Sequence, residues 1–215
     1  MTRSLETPPG PEVGGPPPLN RGDRNRNPPG IGFLALLRED LRTHDGGLLE
    51  QGFWAVAVHR FGNWRMRWPK PLRAPLTLVY RLLFKVVEWT CGISLPYTVL
   101  LGRRVRIWHH SGIILNARSI GDDVHIRQNT TFGLAARGEP EWMVPTIEDR
   151  VDLGCNVCVA GDVTIGHDSR VGANTLVISD IPPGSVAVGV PAQVLKRLPP
   201  GGCRERDRCC RDRSE

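Results

Sequence analysis

Residues 147–182 read IEDRVD LGCNVC VAGDVT IGHDSR VGANTL VISDIP, six consecutive hexads. Each opens on an aliphatic side chain: Ile147, Leu153, Val159, Ile165, Val171 and Val177. Four places on stand small or branched residues: Val151, Val157, Val163, Ser169 and Thr175. The second place is Gly at Gly154, Gly166 and Gly172. A period of six matches neither an α-helix, at about 3.6, nor a strand, at about 2. It fits a parallel β-helix, in which three hexads close one triangular coil and each hexad forms one flat side. The opening aliphatic fills the prism, and Gly or Asn supplies freedom at the corners.

The same phase extends backwards. Leu95, Leu101 and Ile107, then Ile120, Ile126 and Phe132, take the opening place. Val99, Val105, Ser111, Val124 and Thr130 follow at the inward small position. The phase breaks twice. One extra residue enters near Ile113. Between Phe132 and Ile147 the chain gains a longer insertion, read as a loop thrown out of the solenoid, a usual place for a site.

The remaining segments bound the organisation. Residues 1–30 are rich in Pro, Gly and Asn and cannot bury enough surface to offset ordering entropy, which predicts a disordered leader. They lack the apolar core of a signal peptide, and no stretch reaches the ~18 apolar residues of a membrane span. Residues 31–92 carry apolar residues at helical spacing over Ile31–Arg42, Gly52–Trp68 and Leu76–Trp89. The last of these is amphipathic and suits either packing on the first coil, which is preferred, or a membrane surface. The chain is therefore divided into a leader at 1–30, an α-helical cap at 31–92, a β-helix at 93–192 and a basic, disordered tail at 193–215.

The net charge of +6 lies partly in that tail. The repeat shows no basic face interleaved with aromatics, so nucleic acid is not an expected partner. Cys155 and Cys158 form a C-x-x-C, but no second pair accompanies them, and they read as structural thiols rather than a metal site. A reducing cytoplasm is the expected location.

The residues best suited to catalysis are His109 and His110, beside the one-residue irregularity. Histidine is the side chain poised for general base work near neutral pH. A zinc β-helix would need three histidines meeting at a seam. His109, His110, His125 and His167 do not have that spacing, so no metal is expected. A non-catalytic trimeric scaffold is the alternative from another class.

Several strings carry a resemblance: His109-His110-Ser111-Gly112-Ile113-Ile114, Ile120-Gly121-Asp122-Asp123-Val124, Gln128-Asn129-Thr130-Thr131-Phe132-Gly133, Val171-Gly172-Ala173-Asn174, and the closure Val188-Gly189-Val190-Pro191-Ala192. The helical part adds Arg38-Glu39-Asp40, His44-Asp45 and His59-Arg60-Phe61-Gly62-Asn63-Trp64. Over about 31–197 the chain resembles the hexapeptide-repeat acyltransferases. Within them it is most similar to serine acetyltransferases and to related acetyltransferases of exopolysaccharide biosynthesis.

The resemblance implies a left-handed wind and a homotrimer with acetyl-CoA between adjacent β-helices. It makes His109, or His110 if the register slips by one, the base on the acceptor hydroxyl. It implies direct transfer without a covalent intermediate. It assigns Asp45 to the acceptor's ammonium. The acetyl donor is expected at Thr130, Gly133, Cys155, Gly172, Ala173, Gly189 and Pro191, with Lys196 or Arg197 as a phosphate partner. Two positions depart from the family: Trp108 stands where it keeps an Asp, and Val144 where its loop carries a His. L-Serine is the first expected acceptor. A sugar hydroxyl is the alternative, because an aromatic face suits a sugar ring.

Overall fold

The computed structural model describes residues 22–197. Three helices come first: α1 (Phe33–Thr43), α2 (Gln51–Trp64) and, after a 3₁₀ turn at Arg65–Arg67, α3 (Lys70–Cys91). Fifteen short strands follow, dealt in rotation to three faces. The first face holds β1 (Ile93–Ser94), β4 (Ile113–Leu115), β7 (Thr131–Gly133), β10 (Cys158–Ala160) and β13 (Leu176–Val177). The second holds β2 (Leu100–Leu101), β5 (Ser119–Ile120), β8 (Thr146–Ile147) and β11 (Thr164–Ile165). The third holds β3 (Arg106–Ile107), β6 (His125–Ile126), β9 (Asp152–Leu153), β12 (Arg170–Val171), β14 (Ser185–Val188) and β15 (Gln193–Arg197). Pairing between coils is parallel, and Ile147 lies beside Ile120 below and Ile165 above. This is the β-helix that the hexads predict.

Every opening residue from Leu95 to Val177 is buried, as are Val151, Val157, Ser169 and Thr175. Stacking identical apolar positions coil on coil makes one continuous core. The glycines work differently from the expectation. Gly154 is not at positive φ. A Cβ there would stand 2.5 Å from the Ala173 nitrogen, and one at Gly121 would stand 2.4 Å from Asp149 Oδ1. Second-place glycines thus permit close approach between coils. The left-handed corner residues lie elsewhere: Asn129, Asn156 and Asn174 stack at one corner, with φ of 58°, 61° and 56°. Arg104, Asp123, Arg150 and Asp168 stack at another. There Arg104 is bonded to Asp123 and Arg150 to Asp168 through paired contacts of 2.6–2.8 Å. Short polar side chains tolerate this conformation best.

The irregularity near Ile113 resolves into two steps. Leu115, not Ile113, pairs with Phe132, so two residues are added after Ile107. One is then dropped before Ile120, for a net gain of one. Ile113 and Leu115 are both buried and Ala117 takes an inward place. Ser111, expected inside, is exposed at φ 86° on the turn that absorbs the added residues.

Two boundaries also shift. Within the leader, Gly22 lies against Tyr97, the Arg26 amide donates to Asn63 Oδ1 at 3.2 Å, and Asn27 Nδ2 donates to the Arg60 carbonyl at 3.0 Å. Within the tail, β15 pairs antiparallel with β14 and closes the far end of the third face. The rest of the predicted leader and tail, including Cys203, Cys209 and Cys210, lies outside the described residues.

The near end of the prism is closed by side chains of the cap. The Arg60 guanidinium donates to the carbonyls of Leu101 at 2.9 Å and Gly102 at 2.5 Å, and pairs with Asp40 at 3.0 Å. Both side chains of that pair are wholly buried. His59 Nε2 donates to the Val99 carbonyl at 2.9 Å, and Asn63 Nδ2 to that of Tyr97 at 2.9 Å. His44 donates from Nδ1 to the Asp40 carbonyl at 2.8 Å, which leaves Nε2 to accept the Ile107 amide at 3.2 Å.

Burial, reinforced by Arg60, pushes the His59 imidazole down to about 3. Burial lowers His44 as well. In the unfolded chain a histidine takes up its proton near pH 6.5. Below that pH the unfolded state binds more protons than the folded one, so stability falls as pH drops from 6.5 toward 3. The expected slope is ~1.4 kcal/mol per pH unit for His59 alone. Urea unfolding between pH 6 and pH 4 measures it, and His59→Gln, which keeps a donor for Val99, flattens the slope by about that amount. An unchanged slope in the variant contradicts the assignment.

Candidate active site

The three faces meet at three corners. His109 and His110 occupy the corner between the third face and the first, on the turn from β3 to β4. Both are exposed, and neither side chain bonds to a described residue. The turn is pinned from both sides. The Ser111 amide donates to the Cys91 carbonyl at 3.0 Å, and the Ser111 carbonyl accepts from the Asn129 amide at 3.1 Å. The two imidazoles therefore project from a fixed backbone.

Trp108, just before them, is half-buried. Its indole Nε1 donates to His125 Nδ1 at 3.1 Å on the next coil. Arg106 lies over the Trp108 ring, with its guanidinium carbon 3.6 Å from the centroid. Its Nη1 and Nη2 both bond to the Asp45 carboxylate, the first at 3.1 Å. Asp45 sits just past α1 at φ 56°, and the adjacent His44 is bonded to Ile107. The cap thus delivers Asp45 to the histidine corner, with Arg106 between Asp45 and Trp108. Composition and period do not mark Arg106. It is an outward strand residue whose partner lies in the distant turn after α1, and the alternation of β3 was the one available signal. His125 is also a missed member. It sits on the outer wall beside Arg106 and Asp152.

Below the histidines the same corner runs down the prism as a column. The Asn156 amide donates to the Gln128 carbonyl at 3.0 Å, Asn174 to Cys155 at 2.9 Å, and Leu176 to the Gly189 carbonyl at 3.0 Å. Cys155, Gly172, Ala173, Gly189 and Pro191 all line this column. Ala173 and Pro191 are exposed, and Gly189 stands at φ 103°. Gly172 is required by packing, since a Cβ there would stand 2.7 Å from Val188 Cγ1.

Three expected donor residues do not present their side chains to this column. Thr130 points into the prism, fully buried, with its hydroxyl donating to the Arg127 carbonyl at 2.7 Å. It can offer a ligand only its backbone. Gly133 lies at the opposite edge of the first face, where the extruded loop leaves, and nothing stands within 4 Å of where its Cβ would be. Lys196 is exposed on β15. The loop itself is anchored by Arg118, which donates to the Trp142 carbonyl at 2.8 Å and to Asp162 at 2.9 Å. Val144 is wholly buried, so it serves packing and not a ligand. Cys91, Cys155 and Cys158 are free thiols. Among the described residues no group of three His, Cys, Asp or Glu side chains is arranged to hold a metal ion.

No family model matches the chain. The serine acetyltransferase of Mycobacterium tuberculosis is 34% identical over 150 residues, 69% of this chain and 62% of that protein. The chain therefore spans less than two thirds of that relative. The putative colanic acid biosynthesis acetyltransferase WcaB of Escherichia coli K12 is 31% identical over 163 residues, 73% of this chain and 96% of that protein. Among solved structures, the serine acetyltransferase of Brucella abortus strain S19, in complex with coenzyme A, superposes with a TM-score of 0.65 at 19% identity. It covers 78% of this chain and 69% of that one. At that identity the likeness speaks for the fold, a left-handed parallel β-helix behind an N-terminal helical cap. With a β-helix of hexad coils and nearly the whole length of the Escherichia coli relative matched, the chain belongs to the hexapeptide-repeat acyltransferases, among the relatives of serine and polysaccharide-biosynthesis acetyltransferases.

Proposed function

We propose that the chain is an acetyl-CoA-dependent O-acetyltransferase of the serine acetyltransferase type, working as a homotrimer in the cytoplasm. The observation that carries the reading is the continuous corner column, with two unbonded histidines at its head and small residues and backbone below. An acceptor hydroxyl is a weak nucleophile, so a base within hydrogen-bond reach is needed. One histidine of the pair takes the hydroxyl proton. The oxygen attacks the thioester carbonyl, the new C–O bond forms as the C–S bond breaks, and the imidazolium returns its proton to the sulfur. Holding both substrates at one corner supplies proximity.

The coenzyme A bound in the Brucella structure supports the donor, and the column of Cys155, Gly172, Ala173, Gly189 and Pro191 is its proposed track, with Lys196 toward the phosphates. The histidines and the extruded loop leave opposite edges of the first face. A cleft between two copies, with one giving its histidines and the other its loop, would bring both to one acceptor, and this supports the trimer.

Family likeness supports L-serine as the acceptor, with Asp45 receiving the ammonium. One observation favours a sugar hydroxyl instead. Arg106 already pairs with Asp45 and must be displaced before an ammonium can bind. It also covers one face of Trp108, leaving the site cationic and aromatic. The Escherichia coli relative's name supports the same alternative.

Two outcomes test the reading. His109→Ala should lower thiol release from acetyl-CoA by ~10²–10⁴, the cost of a lost general base, with donor affinity unchanged and His110→Ala milder. A larger loss in His110→Ala moves the base one residue along, and no loss in either leaves a scaffold. In a panel of serine, homoserine and sugars, Asp45→Asn should cost serine turnover ~1–3 kcal/mol in kcat/KM, the cost of unpairing a charged hydrogen bond. Sugar turnover should be nearly untouched. If serine turnover survives that substitution, Asp45 does not hold the ammonium.

A further inference from the structure

The β-helix hides its apolar residues, whereas α3 displays them. Tyr80, Val87 and Cys91 face α2 and the first coil. On the opposite side Leu78, Leu82, Val86 and Trp89 are exposed, with Val79 and Leu83 exposed on the flank. Leu78, Leu82 and Trp89 are 71%, 65% and 81% accessible. Positions 78, 82, 86 and 89 follow the helical repeat, so they form one stripe along the rod. One charge enters it: Lys85 lies one turn from both Leu82 and Trp89, and it is paired with Glu88. The exposed charges of α3 are Lys70, Arg81 and Lys85, with Arg67 and Trp68 exposed just before the helix. The helix's carboxylate, Glu88, is turned aside and held by Lys85 at 2.5 Å and Ser94 at 2.8 Å. A stripe this long and this apolar marks an interaction surface.

Three occupants are possible. The chain outside the described residues offers Leu5, Val13 and Leu19 before the structure and Leu198 after it, too few to cover the stripe. In a second copy packed antiparallel, Arg81 would lie along a second Arg81 with no free carboxylate of α3 to meet it, since Lys85 and Glu88 already pair with each other. An anionic plane meets both features at once: apolar residues enter the acyl boundary and the cationic border meets the headgroups. Among the described residues no helix is long and apolar enough to cross a membrane, so the stripe lies on a bilayer and does not span it.

We propose that α3 is a peripheral membrane-docking helix that lays its Leu78–Trp89 stripe on an anionic lipid surface. The proposal is independent of the acetyltransferase reading. The helix ends at Cys91, whose carbonyl accepts the Ser111 amide, one residue beyond His110. Docking therefore brings the histidine corner near the lipid.

The test is co-sedimentation of the full chain with phosphatidylglycerol–phosphatidylcholine vesicles and with pure phosphatidylcholine. The protein is expected to sediment with the first, far less with the second, and to be partly released by salt. Arg81→Glu with Lys85→Glu should weaken binding by more than about fivefold, the share of the unpaired Arg81 cation alone. Leu82→Glu with Val86→Glu should abolish it. All four positions are exposed, and circular dichroism with an unfolding midpoint checks that each variant folds. Failure to sediment, or equal binding by the variants, overturns the proposal. Sedimentation velocity separates the rival. If Leu82→Glu with Val86→Glu lowers the mass of the assembly while the parent ignores vesicles, a second copy covers the stripe.

Discussion

The first coil of a parallel β-helix has no coil beneath it, so its outward carbonyls and amides need partners from elsewhere. An open edge of that kind also invites strand addition from other chains. Here it is closed by side chains of the cap, three from α2 and one from the end of α1. Arg60, His59 and Asn63 donate to Leu101, Gly102, Val99 and Tyr97, and His44 accepts from Ile107. Arg60 is central because it meets Asp40 and two carbonyls with both members of the ion pair wholly buried. Such a pair gains little over a well-packed apolar one, but removing one partner typically costs ~3–5 kcal/mol because a charge is stranded. The cap is thus fastened to the coil by groups that cannot tolerate separation.

That fastening also builds the candidate site. His44 holds the end of α1 against β3, and the next residue is Asp45, whose partner Arg106 belongs to β3 and covers Trp108. Cap and coil meet at the corner where His109 and His110 project. The ladder of Asn129, Asn156 and Asn174 continues that corner down the prism. Closing the edge and bringing Asp45 to Arg106 and Trp108 are consequences of the same docking of cap on coil.

The β-helix was legible in the sequence because its core repeats. One aliphatic every six residues cannot be satisfied by a helix or a flat sheet, and Ile147, Leu153 and Val159 are all buried as that phase requires. The cap was legible as helices, and the string His59–Trp64 stood out by resemblance. Its work did not, because carbonyls of a coil some forty residues away leave no local trace. Near Ile113 three apolar residues in a row hid which one faces in, and a two-residue gain followed by a one-residue loss read as a single insertion. Ser111 was misread for that reason. The histidine pair was singled out from its chemistry. Arg106 was not, because the residue that gives it meaning lies sixty-one positions away. β15 was missed because its five residues are exposed and carry no inward pattern.

The central claim is that the histidine-headed corner is where acyl transfer occurs. A crystal structure of the protein with coenzyme A tests it most directly. The account predicts the thiol beside His109 or His110, with the rest of the molecule running along the column past Cys155 and Ala173 toward Gly189. Coenzyme A bound at another corner, or a thiol out of reach of both imidazoles, would contradict it.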